Sequence, residues 1–427
     1  MKKVSIGLLG CGTVGKGLVE LIRRNRDVVA HRTGIEVEVA RVLVRDPRKE
    51  RPVAPEKLTT DPAAVIEAKD VHIVVELMGG VEPAKAYVLR ALAARKHVVT
   101  ANKAMLSAAG GAIFRRAVDA RCRIGFEASV CGGIPIIRAL SAGLVGNRIT
   151  TLVGIVNGTC NFILTKMAEE RCLFAKALVE AQRLGFAEAD PSLDLDGRDA
   201  AQKLQLLSEL AFDVILDQVQ FPVEGIRHIE DEDLRTAKEL GYVIKHLAIG
   251  KDLGETLDLR VHPALLPNIH PLAHVRDEFN SVLLRGDAVD EMIFTGKGAG
   301  SLPTASAVLS DILEIARSGD PEHGEPWHLP TGKQKPITPD ITCKYYLRFP
   351  IKDVPGVIGH ITTALGNRGI SITHAAASLA EGKPGYGNVK ILAHDCRESA
   401  LRAALEEVAK LPVLAGKPVI LRIFEEG

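Results

Sequence analysis

Paired cysteines, long apolar runs and an excess of one charge are all missing from this 427-residue chain. Its seven cysteines are scattered, and none forms a C-x-x-C pair, so neither a disulfide frame nor a zinc ribbon is expected. Reduced thiols and a cytoplasmic setting fit this usage. No stretch approaches the roughly 18 apolar residues of a membrane span. Lysine and arginine (54) balance aspartate and glutamate (53), and a net charge of +1 leaves no footprint for nucleic acid or an anionic membrane. Lys2-Lys3 followed by VSIGLLGC mimics a lipoprotein signal ending at Cys11. Its apolar part, Val4–Leu9, is only six residues, short of the ~7–15 a signal needs. Hydrophobic residues at 46% and charged residues at 25% are ordinary values that allow a proper core. The length predicts two or three domains.

What is present starts at the N-terminus. The apolar run Val4–Leu9 has strand length, and Gly10-Cys11-Gly12-Thr13-Val14-Gly15 follows at once. Leu18, Val19, Leu21 and Ile22 then repeat at helical spacing. This is G-x-G-x-x-G between strand and helix, its setting in dinucleotide-binding folds. Gly10 permits the turn, Gly12 leaves room for a pyrophosphate, and Gly15 lets helix and strand pack closely. The helix start would offer free N–H groups to phosphate. A tight glycine turn without ligand is the plainer alternative. A second strand is expected over Val37–Val44. Arg45 follows it, with Asp46, Arg48, Lys49 and Arg51 close by. Arg45 would accept a 2′-phosphate and favours NADP; Asp46 would hold the ribose of NAD, and dual use stays open. Ile73–Leu77 and Val98–Thr100 read as further buried strands, placing Glu76 and Lys103 at strand carboxyl ends, where such sheets bind ligands.

The segment Gly185–Lys203, GFAEADPSLDLDGRDAAQK, gathers Glu188, Asp190, Asp194, Asp196 and Asp199 ahead of Lys203. A helix after Gly197 would put Asp199 and Lys203 on one face. Such a pair is ordinarily a solvated contact of ~0.2–0.5 kcal/mol. Beside a nicotinamide fold it has a second use. Carboxylates anchor a substrate ammonium, and a lysine protonates the oxygen on which charge grows when hydride reaches an aldehyde carbon. Two converging lysines, Lys103 and Lys203, would each lower the other's pKa. Cys131 and Cys160 lie in the same region but lack a paired histidine, so they read as packing residues. His262, His270 and His274 lack metal-ligand spacing and read as loop residues. For Asn157-Gly158-Thr159 an ordinary hairpin turn is the plainer alternative.

The chain divides into a Rossmann-type α/β domain over 1–130, an α+β catalytic and dimerisation domain over 131–317, a linker over 318–340 with five prolines, and a βαββαβ ferredoxin-like domain over 341–427. The apolar stretch Gly143–Val156 is expected to form strands that pair between subunits.

Taken in order, GCGTVGKG, VELMGG, TANKA, EASVCGGIPII, GIVNGTCNFIL, GFAEADPSLDLDGRDAAQK and GAGSLPTASAV resemble the homoserine dehydrogenase family over nearly the whole chain. IKDVPGVIGHI is similar to the opening of an ACT domain. The resemblance implies reversible reduction of L-aspartate 4-semialdehyde to L-homoserine with NADP or NAD. It implies Lys203 as proton donor, Lys103 shared between cofactor and reaction centre, and Glu188 and Asp199 as acids holding the substrate amine and ordering the site. Gly185, Thr159, Gly298 and Gly300 would lie beside substrate or cofactor, with Gly10, Gly12, Thr13, Val14, Gly15 and Arg45 on the cofactor. Glu127, Val130, Gly132 and Ile134 would hold a monovalent cation, usually sodium, largely through carbonyl oxygens. L-Threonine is the implied effector at Asp353, Pro355, Gly356, Val357 and Ile358, and a homo-oligomer, dimer or tetramer, is implied. Phe186 departs from the tyrosine of many members, and Leu193 from an acid in some, so Leu193 receives no role. Another amino-acid dehydrogenase on the same scaffold and an idle ligand sensor are the alternatives.

Overall fold

In the computed structural model, residues 1–216, 218–318, 332, 334–380 and 383–425 are described. Most of the proposed linker, 319–331 and 333, lies outside them.

Two sheets organise the chain. The first is parallel: β1 (Lys2–Leu9), β2 (Ile35–Leu43), β3 (Leu58–Thr59), β4 (Ile73–Glu76), β5 (His97–Thr100) and β6 (Ile124–Gly125), in the order 3-2-1-4-5-6. That order belongs to dinucleotide-binding folds, with a topological switch beside β1. Ile6, Leu8, Leu9, Ile73, Val74 and Val75 are buried because helices cover both faces. The Ser301–Arg317 helix, assigned from sequence to the second unit, packs instead on the first sheet beside the Thr13–Arg24 helix, sharing a core with Ile6 and Leu18. Gly17 allows the approach: its missing Cβ would lie 2.8 Å from the Ser301 carbonyl oxygen.

The second sheet has nine strands. β7 (Ile149–Ile155), β8 (Tyr242–Asp252), β9 (Leu257–Pro267), β10 (Phe279–Gly286) and β11 (Asp290–Lys297) form one half, ordered 11-10-7-8-9. β12 (Thr342–Lys352), β13 (Ile372–Leu379), β14 (Tyr386–Arg397) and β15 (Val419–Ile423) form the other, ordered 15-12-14-13. With the Val357–Gly366 and Glu398–Val408 helices, this half is the expected βαββαβ unit. A short parallel pairing joins the halves, Arg422 to Ala264 and Ile423 to Leu265. Buried ion pairs cross the same junction. Arg348 reaches Asp233 at 2.7 Å, and Arg422 reaches Glu224 at 2.9 Å.

Three local expectations change. Strand structure in Gly143–Val156 begins only at Ile149, because Ile136–Gly143 is helical after Pro135. Asn157 does not open a hairpin; it caps the Gly158–Glu170 helix, its side chain accepting from the Cys160 N–H at 2.8 Å. His262 is a buried residue of β9, not a loop residue, since the strand runs on to Pro267.

Candidate active site

The glycine turn has three distinct environments. Gly10 has φ +96°, a conformation that favours glycine, and a Cβ there would meet the Leu77 carbonyl oxygen at 2.9 Å. A Cβ on Gly15 would sit 3.0 Å from the Gly10 carbonyl oxygen. Around Gly12 nothing lies within 4 Å of that position. Gly12 therefore faces open space directly before the helix that begins at Thr13. Free N–H groups and open space suit a phosphate. Ser301 Oγ donates to the Thr13 carbonyl at 2.8 Å, so the Gly298–Gly300 turn abuts the same place. Arg45 is exposed beyond β2. The Asp46 carboxylate is engaged by the Arg48 N–H and guanidinium at 3.0 and 3.1 Å.

At the carboxyl ends of β4 and β5, Glu76 is a brace. It is wholly buried, accepting from the Met78 N–H at 2.7 Å and from Thr100 Oγ1 at 2.6 Å. Asn102 caps the next helix by accepting from the Met105 N–H. Lys103, the first residue of that helix, thus projects from a stiff strand end. Its ammonium lies 3.1 Å from Asp199 Oδ1. The Arg198–Phe212 helix starts after Gly197 and does put Asp199 and Lys203 on one face, 2.8 Å apart. Lys203 also donates to the Val156 carbonyl at 2.7 Å. One carboxylate therefore bridges two ammonium groups, one from each half of the molecule.

This bridge corrects the expected electrostatics. Burial works against both charged forms, but the lysines outweigh it and hold the Asp199 carboxyl far below the usual carboxylate range. For Lys203, burial pulls downward, yet Asp199 at contact distance more than compensates, and its pKa is raised. The expected depression of Lys203 is absent because a carboxylate stands between it and Lys103. With its pKa raised, Lys203 carries its charge in the resting protein.

Around the bridge lies a second acid, to which sequence reasoning gave no role. Asp194 accepts from Asn157 Nδ2 at 2.7 Å and from Thr159 Oγ1 at 3.2 Å. Burial and the nearby Asp199 charge push its pKa up. Asn157 also donates to Asp199 at 2.8 Å, linking the two acids. Two signals existed in sequence: Asp194 stood in the acidic run, and Asn157 in GIVNGTC. The side chain of Thr159 donates to the Phe186 carbonyl at 2.6 Å, bringing the Gly185–Glu188 turn alongside. Glu188 and Gly185 are exposed at the rim and do not reach Asp199 directly. Burial pushes the Cys131 thiol up to about 11 and the Cys160 thiol well above its usual value, so both remain unreactive packing groups.

Residues 127–134 form a tight loop behind the bridge. The Glu127 carboxylate is buried and accepts from the Ile137 and Arg138 N–H groups at 2.8 and 2.9 Å. It is occupied as a helix cap. Cys131 and Gly132 both have positive φ, +53° and +50°, and a Cβ on Gly132 would meet the Gly298 carbonyl oxygen at 2.6 Å. Among the described residues, no cluster of three or more His, Cys, Asp or Glu side chains could hold a metal. Any cation here would rest on carbonyl oxygens of Val130, Gly132 and neighbours, a donor set that suits a hard ion. The segment Asp353–Ile358 lies elsewhere, at the exposed start of the Val357–Gly366 helix, where Gly356 has φ +84°.

Comparison with known proteins agrees with this architecture. Family models described as "Homoserine dehydrogenase, NAD binding domain", "Homoserine dehydrogenase" and "ACT domain" match residues 10–127, 135–313 and 345–413. The chain is 41% identical over 435 residues to a homoserine dehydrogenase of Bacillus subtilis, covering all of both chains. It is 42% identical over 436 residues to one from Synechocystis, covering 99% of each. A crystal structure of a homoserine dehydrogenase from Thiobacillus denitrificans superposes with a TM-score of 0.92 at 41% identity, over 100% of this chain and 99% of that one. A hyperthermophilic archaeal homoserine dehydrogenase in complex with NADPH superposes with a TM-score of 0.61 at 26% identity, over 74% of this chain and 99% of that one. With the dinucleotide turn, the bridged lysines and the C-terminal βαββαβ unit in one chain, the protein belongs to the homoserine dehydrogenase family.

Proposed function

We propose that the protein interconverts L-aspartate 4-semialdehyde and L-homoserine with NADPH, in a cytoplasmic pathway leading to threonine, methionine and isoleucine. The observation that carries this is the Lys103–Asp199–Lys203 bridge at the strand carboxyl ends. When bound, the dinucleotide supplies hydride chemistry; its pyrophosphate would lie over Gly12 and the start of the Thr13–Arg24 helix. The chain's own residues do the rest. Lys203 has two N–H donors directed to Val156 and Asp199, leaving the third for the substrate oxygen. In reduction it hands a proton to the growing alkoxide; in oxidation the neutral amine takes the hydroxyl proton. Asp199 fixes both ammonium groups and lets Lys103 face cofactor and substrate together. Asp194 and Glu188 supply negative charge toward the substrate ammonium, and Thr159 and Gly185 shape that side. Gly298 and Gly300 let the loop run close to the dinucleotide.

NADP is favoured by exposed Arg45 within a basic loop whose acid, Asp46, is already engaged by Arg48. A sodium ion on the 127–134 carbonyls would stiffen the loop behind Lys203. The ACT unit is read as a threonine sensor acting through Asp353–Ile358 in a homo-oligomer. The test is nicotinamide absorbance with L-homoserine and either NADP or NAD. Reduction with homoserine but not aspartate, faster with NADP, is expected. No reduction in either direction would reject the reading in favour of an idle sensor. A calorimetric titration with threonine giving neither heat nor inhibition would reject the regulatory part.

A further inference from the structure

We infer that Asn280 is a positioning residue for Lys203, acting through the Val156 carbonyl that both side chains share. The inference rests on Lys203 being the proton-transfer group proposed above. Val156 follows the last residue of β7, where the chain leaves the sheet for the Asn157-capped helix. Its carbonyl accepts from Lys203 Nζ at 2.7 Å and from Asn280 Nδ2 at 3.0 Å. A carbonyl oxygen has two lone pairs, and these two donors occupy both. Asn280 is 1% exposed and stands on β10 just before the register pair Ser281–Ile155, so its amide replaces a ladder bond where β7 departs. The amide is closely confined. Gly298 lies so close that no Cβ fits between them, and Asn280 faces Gly296 across the β10–β11 hairpin.

The geometry has two consequences. First, the Val156 oxygen is pinned by a second donor besides Lys203, which sets where the ammonium sits and so where its third N–H points. Second, donation from Asn280 lowers the electron density that the carbonyl offers Lys203, making the ammonium a readier donor than Asp199 alone would leave it. Asn280 Oδ1 is buried without a hydrogen-bond partner, so the amide is engaged only through its nitrogen side. It lies beside the Cys131 thiol. The charged and titratable groups facing Lys203 are Asp199 on its own helix, Lys103 across the bridge, Asp194 and Cys131, and His246 feels the Asp199 charge. None of them substitutes for a neutral donor on Val156.

The test is the pH profile of homoserine oxidation by full-length wild type, Asn280→Ala and Asn280→Asp, read as kcat, KM for each substrate and melting temperature. In oxidation Lys203 must be neutral, so the rate rises with pH through its pKa. The expected result is a kcat loss of roughly ten- to a hundred-fold in Asn280→Ala, the range for a displaced reacting group. KM for the dinucleotide should hold within about two-fold, and the rising limb should move to higher pH. Asn280→Asp, nearly isosteric, should move it further because a carboxylate adds to the stabilisation of the ammonium. A limb that stays put in both variants, with a lowered melting temperature, would reduce Asn280 to packing and overturn the inference. A shift in Asn280→Asp alone would also overturn it, since any nearby charge gives that. An inactive wild type would reject the functional reading itself, a failure distinct from active enzyme with an unmoved limb.

Discussion

Glycines of one motif differ sharply once each is asked what a methyl group would touch. At Gly12 a Cβ meets nothing, so Gly12→Ala should leave the melting temperature unchanged and raise KM for the dinucleotide by about ten-fold or more, as a lost close approach would. At Gly15 the Cβ would press on the Gly10 carbonyl oxygen at 3.0 Å. Gly15→Ala should instead cost roughly 1–3 kcal/mol of stability, measurable by denaturant melts. The opposite ranking would mean that the open face of Gly12 is not where phosphate lies. At the bridge, Asp199→Asn keeps the shape and removes the charge between two cations. Turnover should fall by roughly a hundred-fold or more while dinucleotide binding, followed by fluorescence titration, survives. Lys203→Ala should do the same. Unchanged kcat in both would remove the mechanism.

Elements place these groups through their ends. β4 and β5 stop together because Glu76 accepts from Met78 and Thr100, and Lys103 begins the helix that follows. Asn157 ends β7 and starts a helix while holding Asp194 and Asp199. Asn157→Ala should therefore lose both an N-cap, about 1 kcal/mol, and turnover, whereas Asn157→Ser should restore the cap and not the activity. β8 carries a different burden. Burial, with help from Arg276, takes buried Lys245 from its ordinary 10.5 down to about 8, although it donates to Asn161 and the Val275 carbonyl. Between about pH 8 and 10.5 the unfolded chain holds more protons at this residue than the folded one. Stability from Lys245 therefore increases as pH rises through that window. Urea melts across it should show a shallower rise in Lys245→Met than in wild type. Equal slopes would mean that the ammonium is not desolvated.

Across the whole molecule, the C-terminal unit is built into the second sheet. The parallel contact at Arg422 and Ile423 is short, and the attachment is completed by a shared apolar cluster, in which Tyr346, Leu421 and Ile423 pack with Leu234, Ile244 and Leu265, and by charge pairs. Arg348 is 3% exposed and Asp233 fully buried, and Arg422 lies between Glu224 and Glu398. Removing one member of such a pair leaves an uncompensated buried charge, costing roughly 3–5 kcal/mol. Arg348→Met should lower stability by that order and split a single thermal transition in two, the C-terminal unit melting first. One unshifted transition in calorimetry would show the apolar and sheet contacts to be sufficient without this pair. Tight docking also bears on regulation. A ligand at Asp353–Ile358 reaches the catalytic half only if it binds two arrangements of this junction with different affinity.

The dinucleotide turn, the alternation of strand and helix in the first sheet, the βαββαβ unit and the Asp199–Lys203 spacing were legible in the order of the residues. Each of their elements is a local code, written in periodicity, glycine and i,i+4 geometry. Packing between distant segments set the rest. It placed the Ser301–Arg317 helix on the first sheet and fused the C-terminal unit to the second. The spacing of Lys103 and Lys203 along the chain did not predict that one carboxylate separates them, so the expected mutual depression gave way to a raised Lys203. Asp194 and Asn157 joined the site because helix ends from distant segments converge on them. Electrostatic energy depends on distance and burial, and both are set by packing between segments that no local pattern connects.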